Sequence, residues 1–137
     1  MKIAIEGEVP FHDVDLLAIA WHGHYYKYME LARTALLRAV DLDLDAFRAL
    51  RLKLVVIESR CRYAAPLRYG DRYRVEAWFG DIDHRLLVSY EITNLTTQRR
   101  AARGRTATVV TDFDGNMLLA TPDAVRERIL AKLGSAP

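Results

Sequence analysis

The hydrophobic pattern divides the chain into a short strand, a long helix and a run of strands. Residues 2–10 alternate apolar and polar side chains, which predicts a strand that ends at Pro10. From His24 to Val40, apolar residues recur at helical spacing and predict a helix with a broad apolar surface. Residues 11–22, between them, follow neither period and are predicted to be irregular.

After the long helix, the pattern changes to that of β-strands. Asp43–Leu50 first predicts a short second helix capped by Asp43. Four segments rich in β-branched and aromatic residues then predict strands: Lys53–Leu67, Asp71–Ile82, Arg85–Leu95 and Ala101–Phe113. Turn residues separate these segments, and their close succession favours an antiparallel meander. Pro122 followed by residues 124–133 predicts a terminal helix.

A sheet next to one long apolar helix must bury one of its faces. The simplest solution is an α+β fold in which an antiparallel sheet of five or six strands wraps around the long helix. The length of 137 residues suits one domain, spanning residues 1–137. The other sheet face and the sheet edge are then free to pair with a second copy, which predicts a homodimer or homotetramer.

Composition narrows the class of protein. Hydrophobic residues make up 51% of the chain and charged residues 28%, as in ordinary globular domains. The net charge of +2 is too small to indicate a nucleic-acid partner. No segment has the length of a membrane span, and Glu6 and Glu8 make the N-terminus unlike a signal peptide. The single cysteine, Cys61, is predicted to be a buried, inert thiol, and a cytoplasmic location is expected.

The irregular segment and the helix start, FHDVDLLAIAWHGHYYKY, concentrate groups that bind metals or move protons. The possible metal ligands are His12, Asp13, Asp15, His22 and His24. Their spacing is poor, because His22 and His24 are two residues apart and do not share a helix face. Ligand sets usually recur at defined spacings, and no second His or Cys group exists. The pattern therefore predicts neither a metal site nor a cofactor.

The same segment has the parts needed for acid–base chemistry. Asp15 precedes the helix start and is a candidate nucleophile or general base. The helix N-terminus offers unpaired N–H groups that suit an oxyanion. Spacing alone leaves an alternative open: Asp13 and Asp15 are loop caps, and the tyrosines belong to the core.

Short motifs along nearly the whole chain are shared with one enzyme family. They are Asp13 and Asp15, Ile19-Ala20, Trp21, His22, Tyr25, Glu30-Leu-Ala32-Arg33-Thr34, Tyr63-Ala-Ala-Pro66-Leu-Arg-Tyr-Gly70-Asp71 and Asp112-Phe-Asp-Gly115…Thr121-Pro122. In these motifs the sequence resembles the hotdog-fold acyl-CoA thioesterases of the 4-hydroxybenzoyl-CoA thioesterase-like group. It looks closest to the branch associated with the Tol–Pal system.

The resemblance implies a hotdog fold and a role for several residues. Asp15 aligns with the catalytic carboxylate, and His22 with the residue whose backbone N–H polarises the thioester carbonyl, its ring being placed to assist. Trp21 and Tyr25 would line the acyl pocket, and the site would lie at a subunit interface. Glu30 would contact substrate or pair with the arginine three residues later, and the spacing favours pairing.

The implied substrate is an acyl-CoA or an acyl-carrier protein. Arg62 and Arg85, which flank predicted strands, are candidates to bind the phosphates of CoA, the alternative being a solvated sheet surface. The chain departs from the family at Leu16-Leu17-Ala18, where the turn usually contains glycine. Glycine permits backbone angles that Leu and Ala disfavour, so a differently shaped loop and a narrowed or redirected acyl pocket are expected.

These observations predict an acyl-CoA thioesterase that hydrolyses an acyl- or aroyl-thioester to free acid and CoA. Two alternatives remain open. One is an acyl-carrier-protein thioesterase of a biosynthetic pathway. The other is a hotdog protein that binds acyl thioesters without hydrolysing them.

Overall fold

The computed structural model describes residues 1–133, which form a five-stranded sheet and three α-helices. In chain order the elements are β1 (Ile3–Glu8), a single 3-10 turn (Phe11–Asp13), α1 (His24–Ala39), α2 (Leu44–Ala49), β2 (Leu52–Tyr63), β3 (Arg72–Phe79), β4 (Leu86–Asn94), β5 (Arg99–Asp112) and α3 (Asp123–Leu133). Every predicted helix and strand is present, with differences only at the ends.

The sheet is antiparallel throughout, with strand order β1-β3-β4-β5-β2. The predicted meander is correct for β3, β4 and β5 but wrong for β2. This strand pairs with β5 at the edge of the sheet rather than with β3. The connection over residues 64–71 is too long for a tight hairpin and contains Pro66, so the chain can cross to the opposite part of the sheet.

Helix α1 packs on the inner face of the sheet through one stripe of side chains. The buried residues of α1 are Tyr25, Tyr28, Met29, Ala32 and Leu36. Gly104 on β5 permits this close packing, because a Cβ at that position would lie 2.5 Å from the Sδ of Met29. Each large apolar side chain buried in this way contributes about 1.5–3 kcal/mol. The predicted α+β hotdog architecture, a sheet wrapped around a central helix, is confirmed.

The two ends of α1 have different surroundings. Beyond its C-terminus, a second apolar cluster joins α2, α3 and the start of β4, with Leu42, Phe47, Leu86 and Ile129 among its buried members. At its N-terminus, α1 meets two irregular segments, residues 11–22 and 64–71, which are joined by the Ala20 N–H bond to the Leu67 carbonyl. The candidate catalytic residues therefore lie at the N-terminal end of α1, and the second apolar cluster lies beyond the opposite end.

Candidate active site

The N-terminus of α1 is open to an anionic group. Gly23 is the N-cap and provides no side-chain cap, and the first turn carries no acidic residue. Among residues 1–133, no acceptor takes the N–H groups of His22 and Gly23. The helix dipole adds positive potential at this point. The arrangement offers backbone donors to an oxyanion, as the sequence predicts.

A cleft of about 340 Å³ opens beside these amides. Its lining residues are Ile19, Ala20, His22, Tyr25, Tyr63, Ala64, Ala65 and Pro66. The rings of Tyr25 and Tyr63 meet edge to face with centroids 4.9 Å apart. Apart from the imidazole and the phenolic oxygens, the side chains of this lining are apolar, so the cleft suits a small acyl or aryl group.

Tyr63 is a site residue that the sequence reasoning did not single out. Its hydroxyl donates a hydrogen bond of 2.7 Å to the carbonyl oxygen of His22 and so fixes the chain just before α1. Burial, followed by the neighbouring Cys61, raises the pKa of Tyr63, which keeps the phenol protonated and able to donate. The sequence does mark this residue, because Tyr63 begins the Tyr63-Ala-Ala-Pro66 motif. That motif, however, was interpreted only as a strand and a turn and not as part of the site.

The thiol of Cys61 is half-buried behind this tyrosine. Burial raises its pKa, although the neighbouring hydroxyl of Tyr63 acts in the opposite direction. The thiol is therefore protonated near neutral pH, and it lacks the thiolate character that a nucleophile needs.

The two predicted pocket residues occupy different places. Tyr25 is buried in the cleft wall, where its hydroxyl accepts a hydrogen bond of 3.1 Å from the Leu67 N–H. Trp21 is 50% exposed and does not line the cleft. Its indole contacts the His22 ring in a tilted arrangement, with centroids 4.8 Å apart, and covers Gly23, where a Cβ would collide with it. Trp21 thus borders the mouth of the helix rather than the cleft.

Asp15 begins a tight turn. Its N–H donates to the Ile19 carbonyl at 2.9 Å, and its own carbonyl accepts from the Ala18 N–H at 2.9 Å. The side-chain Oδ1 accepts from the N–H of Leu17 at 2.8 Å and from that of Ile19 at 3.4 Å. Asp is favoured at such positions because its carboxylate bonds to the backbone two residues on.

Ala18 takes a left-handed backbone conformation, with φ of 59°. This is the conformation that glycine adopts freely, and it costs other L-residues about 1–2 kcal/mol. The turn therefore has a glycine-type shape although the sequence offers Leu16-Leu17-Ala18. Leu16, Leu17 and Ala18 therefore fit the turn without the expected change of loop shape. The cost is backbone strain at Ala18.

The carboxylate of Asp15 does not line the cleft of its own chain. The side chain is exposed, and only Ile19, at the other end of the turn, is part of the lining. Within residues 1–133, Oδ2 of Asp15 accepts no hydrogen bond. The neighbouring Leu16 and Leu17 are 104% and 74% exposed. The turn thus presents a carboxylate and two apolar side chains outward, a combination expected at an interface.

Asp13 anchors the irregular segment to α1. It is 1% exposed, and its Oδ1 and Oδ2 accept hydrogen bonds from Lys27 Nζ at 2.5 Å and from the Tyr28 hydroxyl at 2.7 Å. Its backbone carbonyl accepts from the Trp21 N–H at 3.0 Å. Burial acts to raise the pKa of Asp13, but these two side-chain bonds outweigh it and hold the pKa below its usual value. Of the two aspartates, Asp13 is a buried anchor rather than a loop cap, whereas Asp15 caps its turn through one oxygen and retains the other unpaired.

The remaining predicted residues lie outside the cleft. Glu30 is exposed, and its carboxylate lies 4.0 Å from the guanidinium of Arg33. This is the pairing that the spacing favours. Arg62 on β2 lies opposite Arg103, whereas Arg85 precedes Leu86, which lies opposite Thr108. The interval from 103 to 108 is about 17 Å at roughly 3.4 Å per strand residue. The structure therefore does not bring the two arginines together.

No group of three or more His, Cys, Asp or Glu side chains among residues 1–133 is placed to hold a metal ion. No helix in that range is long and apolar enough to cross a membrane.

Comparison with known proteins identifies the family. Residues 9–129 match the sequence profile of the Thioesterase-like superfamily. The chain belongs to this superfamily. Among similar proteins, the acyl-CoA thioester hydrolase YbgC of Escherichia coli O6:H1 is 31% identical over 68 residues, which are 50% of this chain and 51% of that protein. A relative from Aquifex aeolicus is 33% identical over 75 residues, 55% of this chain and 59% of its own length. The chain thus spans little more than half the length of these relatives.

Solved thioesterase structures share the fold of this superfamily member. The 1,4-dihydroxy-2-naphthoyl-CoA thioesterase Slr0204 from Synechocystis superposes with a TM-score of 0.80 at 20% identity, covering 94% of this chain and 96% of that one. The gentisyl-coenzyme A thioesterase BH1999 gives a TM-score of 0.79 at 20% identity, covering 93% and 99%. The hotdog architecture is therefore that of known thioesterases, while the Tol–Pal-associated branch stays a prediction.

Proposed function

We propose that the protein is an acyl-CoA thioesterase that hydrolyses an acyl- or aroyl-thioester to the free acid and CoA. One observation carries the proposal: in a chain of the thioesterase-like superfamily, the uncapped N-terminus of α1 opens onto a small, mainly apolar cleft. A thioester bound there would place its carbonyl oxygen at the amides of His22 and Gly23 and its acyl group between Tyr25 and Tyr63.

The backbone donors support the demanding part of the reaction. Attack on the carbonyl carbon moves charge onto its oxygen, and preorganised N–H groups stabilise that charge more than they stabilise the substrate. The C–S bond then breaks and the thiolate leaves. Because a thiol has a pKa of about 8.5, the leaving group requires no strong acid. The exposed His22 ring stands at the same mouth and can assist this step.

Asp15 supplies the carboxylate in either of two routes. As a general base, it takes a proton from water, and the hydroxide adds to the carbonyl carbon. As a nucleophile, it forms an acyl anhydride, which water then hydrolyses. The unpaired Oδ2 is available for both roles. Label found in the Asp15 side chain after a single turnover in heavy-oxygen water would identify the nucleophilic route, since water that attacks Cγ of the anhydride leaves its oxygen there.

The carboxylate of one copy is proposed to serve the cleft of another. Asp15 is exposed and does not line its own cleft, and it stands beside the exposed Leu16 and Leu17. Strand β2 pairs on one side only, and its Val55 and Ile57 are 43% and 50% exposed. Unpaired apolar edge strands invite pairing with a second chain. A homodimer, or a tetramer built from it, would cover these surfaces.

The cleft dimensions favour short or aromatic acyl groups. Its volume of about 340 Å³ lies at the lower end for ligand pockets, and two tyrosine rings form its walls. Arg62 and Arg85 remain separate candidates for the CoA phosphates. Glu30, paired with Arg33, is the weaker substrate contact.

A panel of short-chain, long-chain and aromatic acyl-CoAs tests the function directly. Release of free CoA is measured with a thiol reagent for the wild type. Turnover of short or aromatic thioesters by the wild type supports the proposal. Binding of these thioesters without any turnover would instead favour the non-hydrolytic hotdog protein, an alternative that the turn-capping bonds of Asp15 keep open.

A further inference from the structure

The sheet face that points away from α1 carries four exposed arginines on two neighbouring strands. They are Arg60 and Arg62 on β2 and Arg103 and Arg105 on β5. The strand register places Arg60 directly opposite Arg105 and Arg62 directly opposite Arg103. These four residues, which we call the arginine grid, form part of the lining of a surface groove of about 730 Å³.

The grid is an unfavourable arrangement unless an anion occupies it. Like charges directly opposite each other in an antiparallel pair destabilise a sheet. Only Arg103 has a carboxylate partner, Glu91 at 3.3 Å, whereas Arg60, Arg62 and Arg105 have none among residues 1–133. Three guanidinium groups are therefore available for carboxylate or phosphate oxygens.

The rest of this outer face carries charges of both signs, with Lys2 at the edge of the same groove and acidic side chains beside arginines on β1 and β3. On the β1 side, the carboxylate of Glu6 lies 3.8 Å from Arg72 and 3.6 Å from Arg74. Glu76 on β3 lies opposite Glu91 on β4. An anionic membrane or a long nucleic acid would cover both halves and meet these acidic side chains. A compact acidic protein can contact the basic half alone, which agrees with the small net charge of +2.

We propose that the arginine grid is a docking surface for an acidic carrier protein that presents the acyl thioester to the cleft. This inference rests on the proposed function. Arginines two apart on a strand are about 7 Å apart, close to the roughly 6 Å rise between carboxylates four apart on a helix. An acidic helix therefore fits along the grid. Arg62 also directly precedes Tyr63, whose ring lines the cleft from the opposite face of β2.

The test compares two double variants with the same change in charge on the same face. Arg60→Gln/Arg105→Gln removes one opposed pair of the grid, and Arg72→Gln/Arg74→Gln is the matched control on the half of mixed charge. Thermal unfolding of both verifies the fold. Hydrolysis is measured at low ionic strength with one acyl group on three thiols: an acidic acyl carrier protein, CoA and N-acetylcysteamine.

The grid variant is expected to lose about tenfold in kcat/KM on the acyl-carrier protein, because interfacial charges steer association. Its rates on the other two thioesters are expected to change less than about twofold, and the control is expected to keep all three. Equal losses in both variants, an equal loss on acyl-CoA, or no loss at all would overturn the docking surface.

The N-acetylcysteamine thioester separates this inference from the proposed function. It has no phosphate and no protein, so its hydrolysis reports on the cleft alone. If the wild type hydrolyses none of the three thioesters, the proposed function fails, and docking is then decided by fluorescence anisotropy with labelled carrier protein. Weaker binding by the grid variant alone supports docking. Equal binding by both variants, or stronger grid-dependent binding to anionic vesicles or an oligonucleotide, rejects it.

Discussion

The hydroxyl of Tyr63 at the end of β2 donates a hydrogen bond of 2.7 Å to the carbonyl oxygen of His22 at the mouth of α1. The bond joins the sheet to the segment that carries the candidate oxyanion donors. The N–H groups of His22 and Gly23 have no acceptor among residues 1–133, and His22 lines the cleft. The sequence distance between the partners, 41 residues, explains why the bond is not visible in any local pattern.

Replacing Tyr63 by Phe should reduce turnover more than stability. The phenyl ring keeps the cleft wall, but the His22 carbonyl loses its donor, a net loss of about 1 kcal/mol of stability. We expect kcat to fall severalfold with little change in KM. The backbone amides of the site lose their alignment, whereas the cleft keeps its shape. Steady-state kinetics and chemical denaturation measure both effects. A kcat equal to that of the wild type would show that the bond does not position the site.

Replacing Asp13 by Asn should destabilise the protein by about 2 kcal/mol, since hydrogen bonds to charged groups are the stronger ones. The effect should depend on pH. The folded-state pKa of Asp13 lies below its usual 3.8, so its stabilising ionised form is fully populated above that value. The advantage of the wild type over Asp13→Asn should therefore be constant near neutral pH and shrink as the pH falls below about 3.8. An advantage that grows in acid would contradict the assignment.

Replacing Ala18 by Gly should stabilise the turn. Release of the left-handed strain at Ala18 is worth about 1–2 kcal/mol, and the added freedom of glycine in the unfolded chain costs about 0.4–1 kcal/mol. The net expectation is a gain of about 0.5 kcal/mol in the free energy of unfolding, measured by denaturant titration. Ala35→Gly, in the middle of α1, is the matched control and should destabilise. A loss at both positions would mean that the turn does not need a left-handed residue.

Charging the β2 edge should prevent self-association. Val55→Lys/Ile57→Lys places two cations on the exposed edge, whereas Leu44→Lys/Leu119→Lys adds the same charge at other exposed apolar positions. Sedimentation is expected to give a dimer or tetramer for the wild type and the control, and a monomer for the edge variant. Thioesterase activity should disappear together with the dimer. An active monomer would place the whole site within one chain.

The hydrophobic pattern was sufficient to predict the helices and strands, but it did not predict the order of the strands in the sheet. The periodicity around Tyr25 and Leu36 indicates a buried helix face, and alternation marks β3, β4 and β5. The position of β2 depends on which edge its connection reaches, and residues 64–71 do not encode that choice locally. The two aspartates show the same limit: Asp13 and Asp15 are two residues apart, yet only contacts with Lys27 and Tyr28 distinguish the anchored carboxylate from the available one.

The most direct test of the account is hydrolysis by Asp15→Asn. Asparagine keeps a side-chain oxygen that can accept the Leu17 N–H, so the turn and the fold should survive, which thermal unfolding verifies. The side chain can no longer act as a base or nucleophile, and kcat on the preferred acyl-CoA is expected to fall by about 10²–10⁴. Near-normal turnover by a folded Asp15→Asn protein would contradict the central claim that this carboxylate performs the chemistry.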